Sequence, residues 1–193
     1  MPAAGRWFDT GTSPSAPALT VTSARGSFIT GRPPIADLSG SGTLAPGVVA
    51  WAESVVEALR LEDRFPSASV LVHDPATAGL RLAAHRAGAD DAAESVPAPQ
   101  VVPLTGSVSG WVFRMGRPTL VADVTTHPDY QPFAGSATRS ELAAPILHEG
   151  RPIGVLDVES PRPGEFGIDD LERLERRAAA AARTLPVDEL PAA

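Results

Sequence analysis

Residues 139–160 read RSELAAPILHEGRPIGVLDVES. Two aliphatic runs, Leu142 to Leu147 and Ile153 to Val158, flank His148-Glu149-Gly150-Arg151. Short apolar runs separated by a glycine-containing reversal predict an antiparallel hairpin. Asp157 and Glu159 stand two apart in the second strand, so period-two alternation places them on one sheet face, together with Ile153 and Val155. Whether Glu141 joins them depends on the turn. A two-residue turn at Glu149-Gly150 points Glu141 to the other face, whereas a three-residue turn or a bulge shifts the register and brings it over. Carboxylates gathered under a loop attract an amine or a guanidinium group, and their repulsion raises at least one pKa. The competing reading has Asp157 and Glu159 near a strand end, paired with Arg139 or with backbone amides.

Working outward, the segment after the hairpin is helical: Ile168, Leu171, Leu174, Ala178, Ala181 and Leu185 line one face. Asp169, Asp170 and Glu172 open this helix, Arg183 lies near its end and Pro186 stops it, as the helix dipole favours. On the other side of the chain, Pro46 starts a helix whose Val48, Trp51, Val55 and Leu59 share a face. Pro66 ends that helix, and Ser69 to His73 and Leu80 to His85 then predict two strands joined through Pro75 and Gly79. Gln100 to Leu104 is a further short strand. Ser107 caps a short helix in which Val108, Trp111 and Met115 form the buried face and Gly116 the stop. Thr119 to Val124 is another strand, and the long stretch Thr125 to Arg139 has the length of a functional lid. Phe113, Tyr130 and Phe133 are therefore candidate pocket walls, while Trp51 and Trp111 read as core. The predicted order is helix, six strands with a small helix inserted, then helix, an α+β class of α/β protein. Residues 1–44 read as an irregular arm, with Trp7-Phe8 as its one pair suited to docking, and 187–193 as a short tail around a domain at 45–186.

Composition narrows the chemistry. A chain of 193 residues fits one domain with a substantial core, and its 43% hydrophobic and 20% charged residues are those of a soluble globular protein. There is no bilayer-length apolar run and no secretory pattern, so the expected location is the cytoplasm, without a membrane partner. The formal net charge of −7 disfavours nucleic acid, which needs a basic face. Cysteine is absent, which removes thiol nucleophiles, thiolate metal sites and thioether-linked cofactors. Every basic residue is Arg, which also removes Schiff-base chemistry and a P-loop lysine. His73, His85, His127 and His148 show no metal-ligand spacing, and His127 is the one placed in the lid. No cofactor is expected.

Together, Gly106-x-x-x-Gly110-Trp111-Val112, Ala122-Asp123-Val124, Arg139-Ser140-Glu141-Leu142-x-x-Pro145-Ile146, Gly154-Val155-Leu156-Asp157-Val158-Glu159-Ser160 and Phe166-x-x-Asp169-Asp170 resemble the GAF family. The resemblance covers residues 45–186 and implies a six-stranded antiparallel sheet, the first and last helices on one face, a loop-covered ligand pocket on the other, and a homodimer through the terminal helices. Within the family, residues 136–141 and 154–161 are most similar to free methionine-(R)-sulfoxide reductases. That resemblance implies carboxylates at Glu141, Asp157 and Glu159 that hold a substrate amino group, and reactive cysteines at positions that are Ser109 and close to Ala134 here. Sulfoxide reduction needs a thiolate to attack sulfur and a second thiol to resolve the product. A serine hydroxyl does neither. The cysteine for bilin attachment is missing, and of the cyclic-nucleotide motif only Phe166 and Asp169-Asp170 remain. The expected function is a stand-alone, non-catalytic sensory module that binds a small molecule or a signalling protein through Ser109, Phe113, Tyr130, Phe133, Glu141, Asp157 and Glu159. An enzyme with altered chemistry and an interaction module without a pocket are the alternatives.

Overall fold

Pro46 at the first helical position fixes the entry angle of α1 (Pro46–Leu61), whose Val48, Ala52, Val56 and Leu59 are fully buried. The computed structural model describes residues 43–87, 101–127, 130 and 136–192, and Trp7-Phe8 and Phe133 lie outside them. The strands are β1 (Ser67–Asp74), β2 (Gly79–Ala87), β3 (Val101–Pro103), β4 (Thr119–Val121), β5 (Ser140–His148) and β6 (Arg151–Ser160). The remaining helices are α2 (Val108–Met115), between β3 and β4, and α3 (Ile168–Thr184) after β6. The six strands form one sheet in the order β3-β2-β1-β6-β5-β4, and every neighbouring pair is antiparallel. Among the described residues no helix is long and apolar enough to cross a membrane.

The sheet has two unlike faces because its inner strands alternate apolar side chains toward two different helical layers. On one face Val70, Val72, Leu142, Ala144, Ile146, Leu156 and Val158 pack with the buried residues of α1 and with Leu174, Ala178 and Ala181 of α3. Each fully buried aliphatic side chain here contributes about 1.5–3 kcal/mol. The two helices are also tied to each other: the Trp51 indole donates to the Ala181 carbonyl at 3.2 Å, and Arg177 meets Glu62 at 2.5 Å and Asp63 at 2.6 Å. On the opposite face α2 packs Val108 and Val112 on Leu71, Leu80, Ala143 and Val155. Gly110 sets how closely α2 sits, since a Cβ there would fall 2.5 Å from the Leu104 carbonyl oxygen.

The β5–β6 hairpin combines both devices that its sequence leaves open. His148 pairs with Arg151, so the turn is the two-residue Glu149-Gly150 type, with φ values of 50° and 78°. Farther along, Leu147 pairs with Pro152 but Ile146 pairs with Gly154, so Ile153 is an extra residue and the register moves by one. Glu141 consequently lies directly opposite Glu159. The bulge also corrects one expectation: Ile153 packs with the α1/α3 core, on the other face from Val155.

Two further local readings change. Met115 is 52% exposed, and α2 buries Val108, Ser109, Gly110 and Val112 instead. β4 ends at Val121, because the Asp123 carboxylate accepts from Thr125 N at 3.1 Å and from its hydroxyl at 2.7 Å, starting a 3₁₀ turn at Val124–Thr126. In the C-terminal tail, Val187–Glu189 forms a 3₁₀ turn, Leu190 packs on the core, and Glu189 accepts from the Gly47 amide at 3.0 Å. That carboxylate caps α1, where Ala45 offers no side-chain cap.

Glu149 occupies the left-handed region without being glycine, at a cost of about 1–2 kcal/mol. Glu149→Asn, which makes the favoured Asn-Gly turn, is expected to raise stability by about 0.5–1 kcal/mol. A higher urea midpoint with an unchanged slope would show it.

Candidate functional site

Cross-strand pairing assembles an acidic cluster on the α2 face. One row across the sheet runs Ser69, Asp157, Ala143, and the next runs Ser67, Glu159, Glu141, Val121. Directly opposed residues share a face with Cβ atoms about 4.5–5.5 Å apart, and diagonal pairs such as Glu141 and Asp157 remain within reach of their side chains. Glu141 is 3% exposed and Asp157 7%. Ser109, on the buried side of α2, makes a long 3.5 Å hydroxyl contact to Glu141 Oε1. Glu159 Oε1 accepts from the Thr138 hydroxyl at 3.0 Å. Thr138 in turn is linked to Ser136 at 3.2 Å, and Ser136 to the Tyr130 hydroxyl at 3.3 Å. Asp157 Oδ1 is buried and has no hydrogen-bond partner among the described residues.

Such a cluster resists full ionisation. Burial, followed by the neighbouring charges of Asp157 and Glu159, pushes the Glu141 carboxyl well above the usual carboxylate range. Burial likewise pushes Asp157 up to about 6. Tyr130 is also raised, first by burial and then by Glu159 and Glu141, which places its hydroxyl in the field of the same acids. Arg139 does not neutralise them. It pairs with Asp123 at 2.9 Å, a contact that holds the Asp123 carboxyl down at about 2. The alternative in which Arg139 quenches Asp157 and Glu159 is therefore not the one adopted.

Not every candidate converges on this cluster. Ser109, Tyr130, Glu141, Asp157 and Glu159 do. Phe113 stacks on His73 with ring centroids 4.6 Å apart, four residues along β1 from Ser69. His127 is half-buried just after the 3₁₀ turn. Ser67, Ser69, His85 and Thr138 belong to the neighbourhood and are not evident from motif reading. Ser69 bonds the His85 ring at 3.0 Å. The available signal was two serines spaced two apart in a strand that is otherwise buried, which marks a polar spot on one face. Among the described residues no group of three acidic or histidine side chains is arranged to hold a metal ion.

The sequence model of the GAF domain matches residues 52–185. The chain belongs to the GAF family. GAF domains are generally sensory or regulatory modules. The chain is similar to the free methionine-R-sulfoxide reductase of Neisseria meningitidis, solved in complex with its substrate, with a TM-score of 0.61 and 26% identity over 72% of this chain and 77% of that one. The GAF domain of an Acinetobacter phosphoenolpyruvate-protein phosphotransferase gives a TM-score of 0.59 over 77% of this chain and 86% of that one, and at 17% identity it speaks to the fold alone. Protein YtsP of Bacillus subtilis (strain 168) is 28% identical over 92 residues, 48% of this chain. This GAF chain thus spans little more than half, 56%, of that protein's length.

The raised Asp157 pKa has a sign that can be measured. The fold prefers the protonated acid, so the associated stability is complete below the ordinary carboxylate pKa and is lost as pH rises through about 6. Stability is expected to fall by about 3 kcal/mol between about pH 3 and pH 7, and Asp157→Asn to remove most of that fall. Urea unfolding at a series of pH values reads both.

Proposed function

We propose that this GAF chain is a non-catalytic sensory module whose acidic site binds a small molecule through an ammonium or guanidinium group. The observation that carries the reading is the convergence of Glu141, Asp157 and Glu159 on the α2 face, with a buried Asp157 Oδ1 that has no hydrogen-bond donor among the described residues. A buried acceptor without a donor costs about 1–3 kcal/mol, and a ligand N–H supplies what is missing. The similar Neisseria meningitidis reductase was solved in complex with its substrate, which supports small-molecule binding by this fold. Against turnover stands the chain's composition: with no cysteine in its 193 residues, there is no thiolate to attack a sulfoxide sulfur. Ser109 sits beside Glu141 as a hydrogen-bond donor, a role that a hydroxyl fills well.

A thermal-shift series tests this. L-Methionine, L-methionine (R)-sulfoxide, L-arginine and agmatine are compared with N-acetyl-L-methionine and glutarate. At ten times Kd, a binding amine stabilises by about 1.4 kcal/mol, read as a rise of about 3–6 °C. At least one free amine or guanidinium compound is expected to shift the transition, the blocked and anionic compounds are not, and Glu159→Gln reduces the response. If no cationic compound stabilises the protein, the ligand reading fails. Methionine formed from the sulfoxide with a thiol reductant, above the rate in buffer alone, would overturn the non-catalytic part.

A further inference from the structure

The acidic site holds more carboxylates than its surroundings can keep charged. Glu141 and Asp157 are both more than nine-tenths buried, on adjacent strands, and the hydrogen-bond donor seen at Glu141 is a serine at 3.5 Å. Among the described residues no cation pairs with Glu141 or Asp157. β4 contributes Val121, and β1 contributes Ser67 and Ser69. From α2 comes Ser109, while Arg114 on that helix is turned to the Leu104 carbonyl. Beside them on β6, Glu159 adds another acid. From the segment before β5, Tyr130 faces the acids, Asp123 and Arg139 satisfy each other, and His127 follows the 3₁₀ turn. β2 contributes His85, held on Ser69.

We propose that Glu141 and Asp157 form a proton seat that a cationic ligand empties: the ligand's N–H takes the place of a proton held between the two carboxyls, so that binding releases one proton. The step balances, since a neutral acid and a cation become a carboxylate, a bound cation and a proton delivered to solvent. The geometry favours exchange over simple addition. Asp157 Oδ1 is the acceptor left open, and a cation bonded there lies beside Glu141, where its charge favours the ionised carboxylate. The GAF module would then read ligand and pH together, binding its ligand more tightly as pH rises. This inference rests on the proposed cation-binding reading, and its test separates the two.

The experiment uses the full chain and, as probe, the amine or guanidinium compound of the thermal-shift series with the largest effect. Infrared difference spectra of the ligand-free protein near neutral pH are expected to show the carbonyl stretch of a neutral carboxylic acid, absent in Glu141→Gln, and addition of the probe bleaches it. Calorimetric titration in phosphate and in Tris gives the protons released per probe, expected to be close to one. Kd is expected to fall about tenfold per pH unit where release is complete. Glu141→Gln, nearly isosteric and still able to accept from Ser109, flattens that slope, whereas His85→Gln keeps it. Far-ultraviolet circular dichroism establishes that each variant folds, and Asp157→Asn serves if Glu141→Gln does not. A probe that binds without proton release, a ligand-free protein without the acid band, or a slope abolished by His85→Gln overturns the proton seat while leaving cation binding intact. If no probe binds, both readings fall together.

Discussion

Ile153 is skipped in the pairing of β5 with β6, and the chain absorbs it between the Glu149-Gly150 turn and the rest of the ladder. Because side chains alternate with a period of two, that single residue decides which face every more distant side chain of β5 shares with β6. Without it, Glu141 would lie opposite Val158 and enter the apolar layer under α1 and α3. With it, Glu141 meets Glu159 on the α2 face, and Leu142, Ala144 and Ile146 fall into line with Leu156 and Val158 in the core. The same register therefore fills the core and assembles the acidic site.

Three carboxylates gathered on one face oppose folding, and the opposite face provides the compensation. Desolvation raises the pKa of both Glu141 and Asp157 above that of an exposed acid, and at Glu141 the neighbouring charges of Asp157 and Glu159 add to it. The helical layer stabilises the sheet that carries them: α1 and α3 bury an aliphatic stripe, the Trp51 indole and Arg177 join the two helices, and Glu189 folds the end of the chain back onto α1. The raised acids thus lie on the α2 face beside its smaller apolar cluster, while the larger apolar layer lies on the other face.

Relationship and chemistry diverge in this GAF chain. Its scaffold is similar to that of a reductase solved with its substrate, and its own strand pairing brings Glu141 opposite Glu159 and next to Asp157. Yet Ser109 stands where the resemblance places a reactive thiol, and its hydroxyl contacts a carboxyl. With no cysteine in the sequence, a thiol-dependent redox step has no thiol nucleophile here.

Much of the fold was legible in the sequence because it rests on local periodicity. Pro46 and Pro186 bracket the helical ends, the apolar stripe of α3 is unmistakable, and the alternation of β6 marks Asp157 and Glu159 as sharing a face. Local chemistry misled where side chain competes with backbone, as at Asp123, whose hydrogen bonds to Thr125 cut β4 short, and at Met115, which the α2 surface leaves in solvent. The site was only half legible. Its carboxylates could be named, but the position of Glu141 turned on a bulge that no residue pattern announces, since Pro152-Ile153 is compatible with either register. Ser69, His85 and Thr138 join the acids only through strand pairing and chain return across distant positions. The sequence by itself determined which segments are strands and helices, because those depend on neighbours one to four residues apart. Register, burial and the shifted acids were decided by tertiary structure, because they depend on which strand lies opposite and on how much water the packed helices exclude.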